Sequence, residues 1–346
     1  IDANTDLIMD ASSATNVATL TAKNGGEWTD KLVVSVNPFT SARGGSEVNP
    51  AGVTIVVADG VAGSGNPSIS AAIAAIPDER YDYILQPYND DSNMDLMDTE
   101  LDNRQNAMVQ LEGHAFNAFS GTLSEATTYG GLRNSKHTTT MYAGEGSISP
   151  EHHWAGAYIG VASSIASNDP ALPWQGRSLA GITPEFSENR LVRSERNVLL
   201  QSGVATHTVN FDNVIIERGI TNYQQNNLGQ PDVSYLDSQT PLTLSFLRQS
   251  FNTRMSSRFL TGKKLAKDGT NISAGSNVIT PSIVRGEVIS LAQQWIDLGL
   301  VEQLSQFKSD LIVEINAGDP NRVDVQMSPD LVNQARIIAN RILFIL

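Results

Sequence analysis

The chain has 346 residues, with 23 lysines and arginines against 37 aspartates and glutamates, so its formal net charge is −14. A composition of 40% hydrophobic and 17% charged residues is that of a folded globular protein, and at roughly 150 residues per domain the length suggests two or three domains. The acidic balance argues against a nucleic-acid or anionic-membrane binder; the lack of cysteine excludes disulfides, thiolate metal sites and a cysteine nucleophile; and no run approaches the ~18 apolar residues of a membrane span.

The first fifty residues are polar and rich in Thr, Asn, Gly and Ala. They open on Ile1 instead of Met, so the natural start is expected to be absent. One strand is expected at Lys31-Leu32-Val33-Val34-Ser35-Val36, a loop over Ser41–Pro50, and a second strand at Val53-Thr54-Ile55-Val56-Val57. Strand and helix signals then alternate. Ser68–Ile76 is helical and stopped by Pro77; Tyr83–Gln86 is a short buried strand; Asp95–Glu112 carries Leu96, Met97, Leu101, Met108 and Leu111 at helical intervals. His114–Phe119 is a strand, Thr122–Tyr129 a short helix, His137–Tyr142 a β-branched strand, and Ser149-Pro150 opens an Ala-rich helix. Such alternation implies a largely parallel sheet covered by helices.

Residues 165–205 read as irregular, punctuated by Asp169-Pro170, Leu172-Pro173 and Thr183-Pro184. Thr206–Asn210 and Val214–Glu217 flank a turn at Phe211-Asp212-Asn213, a hairpin pattern. Pro241–Phe259 forms a helix capped by Thr240, with Leu244, Leu247, Phe251 and Met255 on one face. Thr280-Pro281 starts another, with Val284, Val288, Leu291 and Trp295 on one face and Gly299 at its end. Leu311, Val313 and Ile315 are expected to pair antiparallel with Val323, Val325 and Met327, and the last dozen residues to form a final strand.

A search for chemistry yields weak signals. Gly60-Val61-Ala62-Gly63-Ser64-Gly65 matches neither the dinucleotide nor the Walker spacing. Adjacent His152 and His153 beside Glu151 do not share a helix face as an i, i+4 zinc pair would. Gly144-Glu145-Gly146-Ser147 lacks the nucleophile-elbow frame, and Asp95, Asp98, Glu100 and Asp102 lack calcium-loop order, which leaves a solvated helix face. No catalytic, cofactor-binding or metal residue is therefore assigned.

The second half carries an ordered series of short blocks. They are Glu195-Arg196-Asn197-Val198-Leu199-Leu200, Gly203-Val204-Ala205-Thr206-His207-Thr208-Val209 and Glu217-Arg218-Gly219-Ile220-Thr221-Asn222-Tyr223-Gln224. Pro231-Asp232-Val233-Ser234-Tyr235-Leu236-Asp237, Lys264-Leu265-Ala266-Lys267-Asp268-Gly269-Thr270, Asp319-Pro320-Asn321-Arg322 and Val332-Asn333-Gln334 follow. Upstream stand Leu20-Thr21-Ala22-Lys23-Asn24-Gly25-Gly26-Glu27-Trp28, Gly113-His114-Ala115-Phe116 and Leu132-Arg133-Asn134-Ser135-Lys136-His137. Taken in order, the blocks resemble the tail sheath proteins of Mu-like contractile bacteriophages and prophages, from about residue 18 onward. The departure is at the start, where sheath proteins have an N-terminal arm and further residues.

The resemblance implies a multidomain chain, α/β plus α+β. It would comprise a β-containing segment over 1–51, an outward α/β domain over 52–204, and a C-terminal α+β assembly domain with a terminal strand over 205–346. It implies a structural role without cofactors: hexameric rings of self-associated subunits, stacked helically around a tail tube and ending at baseplate and tail terminator proteins. Contraction would drive the tube through the host envelope, after assembly in the bacterial cytoplasm. The closing run Arg341, Ile342, Leu343, Phe344, Ile345 and Leu346 is either a core strand or a segment free to pair outside its own fold; the resemblance favours addition to a neighbouring subunit's sheet. The rival readings are an α/β hydrolase-like enzyme using His114, His137 or His152, and another tail or baseplate protein.

Overall fold

The computed structural model describes residues 8–43, 45–58, 60–211, 213–273 and 275–345. They open with an antiparallel hairpin, β1 (Met9–Ala14) and β2 (Val17–Ala22), that is almost wholly exposed. Neither strand expected next is formed. Glu27–Lys31 is a 3-10 turn and 32–36 and 53–57 are irregular, leaving Val33 79% and Val56 83% exposed. β-Branched runs become strands only where a neighbour takes up their backbone groups and a layer covers their side chains, and among the described residues these runs have no paired neighbour.

The α/β half follows the expected alternation: α1 (Ser70–Ala74), β3 (Tyr83–Leu85), α2 (Asp91–Arg104), β4 (His114–Phe119), α3 (Leu123–Gly131), β5 (Thr138–Tyr142) and α4 (Glu151–Ala166). The strands form a parallel sheet in the order β3-β4-β5. Helix α2 starts at Asp91, ahead of Asp95, because the Asp90 carboxylate accepts the Asn93 N–H at 3.1 Å; it ends at Arg104, well short of Glu112, in turns that lead to Gln110 at φ 59°. Thr122 and Glu125 form a reciprocal capping box on α3. Strand β3 is an edge, so it is half-buried or exposed where a buried strand is expected, whereas β5 is buried throughout. Alternate residues of β4 face opposite layers: Ala115 packs with Met97 and Leu101 of α2, and Phe116 with Trp154 and Tyr158 of α4.

The stretch 165–205 is not irregular throughout, because Arg193–Gln201 forms α5. Its N-terminus is fixed by the Glu195 carboxylate accepting the Val192 N–H at 2.8 Å, and Leu199 packs beside Ala126, Tyr142 and Val204. Beyond it, Ala205 lies parallel beside Met141, with Tyr142 N–H donating to Ala205 O at 2.9 Å and Ala205 N–H to Thr140 O at 2.8 Å. The sheet is thus extended by the residue that leads into the hairpin of β6 (Thr206–Asn210) and β7 (Asn213–Arg218), which pairs as expected; Asp212 in its turn lies outside the described residues. One core, built on Phe116, Met141, Trp154, Tyr158 and Trp174, takes in Ile216, Ile220 and Leu242.

A second core belongs to the C-terminal part. Helix α6 (Gln239–Met255) starts ahead of Pro241, is preceded by Ser238 instead of Thr240, and passes into a π turn over Ser256–Leu260. The pair β8 (Lys264–Leu265) and β9 (Val278–Ile279) leads to α7 (Pro281–Asp297), whose Val284, Val288, Leu291 and Trp295 are buried as its periodicity predicts. Trp295 Nε1–H donates to Ser250 Oγ at 2.9 Å, tying α7 to α6. Then come β10 (Val301–Glu302), α8 (Leu304–Asp310), β11 (Ile312–Ile315), β12 (Val323–Gln326) and β13 (Asp330–Leu331). Strands β11 and β12 pair antiparallel with Val313 opposite Val325, as expected, and β13 pairs with β10. No terminal strand follows: 332–345 is without secondary structure, and Leu346 lies outside the described residues.

Gly219 marks a close approach in the first core, where an added Cβ would lie 2.7 Å from Trp174 and 2.8 Å from the Tyr158 hydroxyl. Both rings are almost fully buried and held by neighbours. Gly219→Ala is predicted to lower stability by about 1–3 kcal/mol in urea unfolding, with the m-value unchanged.

Candidate assembly interface

Of the histidines considered for chemistry, His137 is hydrogen-bonded, His152 packs against Trp28, and His114 is buried with neither ring nitrogen paired. His114 and His137 line a cavity of about 440 Å³ between residues 105–114, α6 and the stretch after β12. Its carboxylate, Glu112, lies 3.3 Å from Arg80 and 2.5 Å from Arg248. Arg80 also donates to Ser245 Oγ at 2.7 Å, and Arg248 to Gln105 O at 2.6 Å. The charged groups of the cavity therefore join the α/β half to α6. His137 Nε2 reaches Gln105 Oε1 at 3.1 Å and Asp102 at 3.5 Å. His152 lies elsewhere, edge-on to Trp28 with ring centroids 6.2 Å apart. Among the described residues no serine hydroxyl bonds a histidine ring.

The other chemical signals resolve in the same way. In the glycine loop, Gly63 N–H donates to the Asp30 carboxylate, so a protein anion occupies the donor. Ser147 Oγ accepts the Trp154 Nε1–H at 2.8 Å and donates to Ser149 O at 2.9 Å, tethering the start of α4. The acidic stretch is not simply a solvated face: Asp95 pairs with Arg133 at 2.8 Å, Glu100 with Arg104 at 2.6 Å, and Asp98 accepts from Thr138. Burial pushes the Asp98 carboxyl above the usual carboxylate range. No group of three His, Asp or Glu side chains that could hold a metal ion occurs among the described residues, and no helix among them is long and apolar enough to cross a membrane.

Apolar side chains are exposed at several places, Leu228 (84%) and Leu260 (76%) among them, and they cluster towards the C-terminal end. After Val332 N–H donates to Leu300 O at 3.1 Å, no backbone–backbone hydrogen bond occurs from 333 to 345 among the described residues. Ile338 is 94% exposed, Phe344 82% and Ile345 98%. Arg341, Ile342 and Leu343 are likewise exposed, so the described part of the closing run is not a core strand of its own subunit. The β1–β2 hairpin stands as a two-stranded sheet of its own, and such a hairpin is marginal in water without a further layer. Phe211, at the tip of the β6–β7 hairpin, is 94% exposed. Its φ of 45° marks the turn.

The chain matches the family of phage tail sheath protein central domains over residues 62–222 and that of phage tail sheath C-terminal domains over 230–345. It is 36% identical over 347 residues to the Mu-like prophage FluMu tail sheath protein of Haemophilus influenzae, a match covering 100% of this chain and 70% of that relative. A sheath tail protein from Desulfitobacterium hafniense is similar with a TM-score of 0.51 and 13% identity, over 82% of this chain and 66% of that one. The helical sheath of the anti-feeding prophage in its contracted state is similar with a TM-score of 0.53 and 10% identity, over 81% of this chain and 76% of that one. A sheath tail protein from Listeria innocua has a TM-score of 0.54 at 14% identity, and this chain spans 59% of its length.

The burial of His114 with both ring nitrogens unpaired yields a test. Burial, with a smaller contribution from His137, pushes its pKa from 6.5 down to about 3. The folded chain therefore holds His114 neutral while the unfolded chain takes up a proton below its ordinary value. Stability due to His114 is complete above that value and is lost as the pH falls from about 6.5 towards 3. Relative to wild type, His114→Leu should gain up to about 1.4 kcal/mol per pH unit across that window in denaturant titrations.

Proposed function

Given that the chain belongs to the phage tail sheath family, we propose that it is a structural subunit of a contractile tail sheath and performs no reaction of its own. It is a component of the virion tail, self-associating into rings stacked helically. Its further partners are the tail tube within, and baseplate and tail terminator proteins at the ends. Subunits assemble in the host cytoplasm, and contraction of the lattice drives the tube through the envelope. The α/β unit faces outward, and the C-terminal unit with its terminal segment is the assembly core.

The observation that carries this reading is the uncovered apolar segment 337–345, which has neither backbone partners nor a covering layer among the described residues. Its natural state is a strand added to a sheet of the neighbouring subunit. Residues Arg341 to Leu346 make the inter-subunit contact. Apolar burial yields about 25 cal/mol per Å², so a few large side chains per subunit suffice when many subunits act together.

Concentrated protein should form long hollow tubes in electron micrographs. Deleting Ile342–Leu346 should abolish them while leaving the far-ultraviolet circular dichroism unchanged. Tubes that survive the deletion would reject the inter-subunit strand, and a full chain that stays monodisperse and monomeric at every concentration would reject the sheath role.

A further inference from the structure

The C-terminal segment is not free from its first residue. It leaves the second core at Val332, and then Gln334 and Arg336 are half-buried while Ala335 and Ile337 are exposed. Alternate side chains of an extended peptide are thus turned onto the protein. Arg336, with its side chain 17% exposed, places Nη2 2.9 Å from Asp237 Oδ1. The same carboxylate oxygen lies 3.2 Å from Nη2 of Arg218 at the end of β7. Asp237 is bridged antiparallel to Ile220, a member of the first core. The segment has therefore crossed from the second core to the first before its apolar end begins.

One carboxylate serves two guanidiniums here, and the Nε atoms of both Arg218 and Arg336 are buried without partners. Burial holds Arg336 below its usual pKa, and Arg218 adds to that effect while Asp237 opposes it. Without the carboxylate the two arginines would face each other as unbalanced like charges.

We propose that Asp237 is the positioning residue of the C-terminal segment: by clamping Arg336 beside Arg218 it fixes the point at which 337–345 leaves the subunit. The proposal rests on the reading that this segment is donated to a neighbour. Clamped at Arg336, the described tail reaches at most about 30 Å; tethered only at Val332 it would sweep about 45 Å. The shorter tether raises the concentration of the tail at one acceptor edge and excludes others.

Two chemically matched bonds make the clamp measurable: Arg336-Ile337 within it and Arg341-Ile342 beyond it. In unpolymerised full-length protein, trypsin should cut after Arg341 at least about tenfold faster than after Arg336. Asp237→Asn should bring the two rates together, Asp237→Glu should keep them apart, and Arg218→Gln should widen the gap, because Arg336 then has the carboxylate to itself. A general loss of folding cannot widen it, so Arg218→Gln decides the matter if Asp237→Asn fails to fold. Equal cleavage in the wild type, or a gap that Arg218→Gln leaves unchanged or narrows, would overturn the clamp. Asp237→Asn should also slow tube growth with the tail intact, and tube growth at the wild-type rate despite a released Arg336 would overturn the positioning role. Tubes that persist after deletion of Ile342–Leu346, alongside the expected cleavage pattern, would refute donation and leave the clamp standing.

Discussion

Among the described residues, 337–345 make no backbone–backbone hydrogen bond within their own molecule, and that constraint governs how the rest is understood. An extended segment with bare N–H and C=O groups and exposed Ile, Leu and Phe is a template for pairing, which monomeric proteins avoid by covering, shortening or charging such edges. From Ile337 to Ile345 the described chain does none of this except at Arg341. Water can solvate the backbone, but the apolar side chains lose free energy only when another surface covers them. Under the proposed strand donation, a second copy would supply the surface that covers this segment.

For such a segment to find one partner, the body that carries it must hold its shape. Two cores provide that body, one around Trp154, Tyr158 and Trp174 and the other around Trp295 and Phe307. Polar contacts lock them together: Glu112 between Arg80 and Arg248, and the Arg80–Ser245 and Arg248–Gln105 bonds. A buried ion pair is weak evidence for stability, since desolvation offsets much of its attraction. Its directional geometry still fixes how α6 sits against the α/β half, and through Asp237 and Arg336 the same body reaches the base of the tail.

The sequence was legible where periodicity and caps agreed with burial. β4, β5, α4, α7 and the β11–β12 register follow from alternation, from Pro near a helix start and from one-sided apolar faces. Legibility failed where tertiary partners decide. Val33 and Val56 lie in runs of high β-propensity, yet among the described residues no strand pairs with them. Helix α5 was hidden because Val198, Leu199 and Leu200 are consecutive and give no helical stripe, while its N-terminus depends on Glu195 reaching back to Val192. The terminal run was legible as apolar and strand-like, but composition cannot distinguish a core strand from an uncovered one. The Asp237–Arg336 contact joins residues far apart in the chain and left no local pattern to read.

Amide hydrogen exchange over 337–345, compared between dispersed subunits and polymer, tests the central claim most directly. Strand donation predicts that these amides exchange at unprotected rates in the dispersed protein and become strongly protected on polymerisation, in an alternating pattern along the strand. Amides that exchange as fast in the polymer as in the monomer would contradict it.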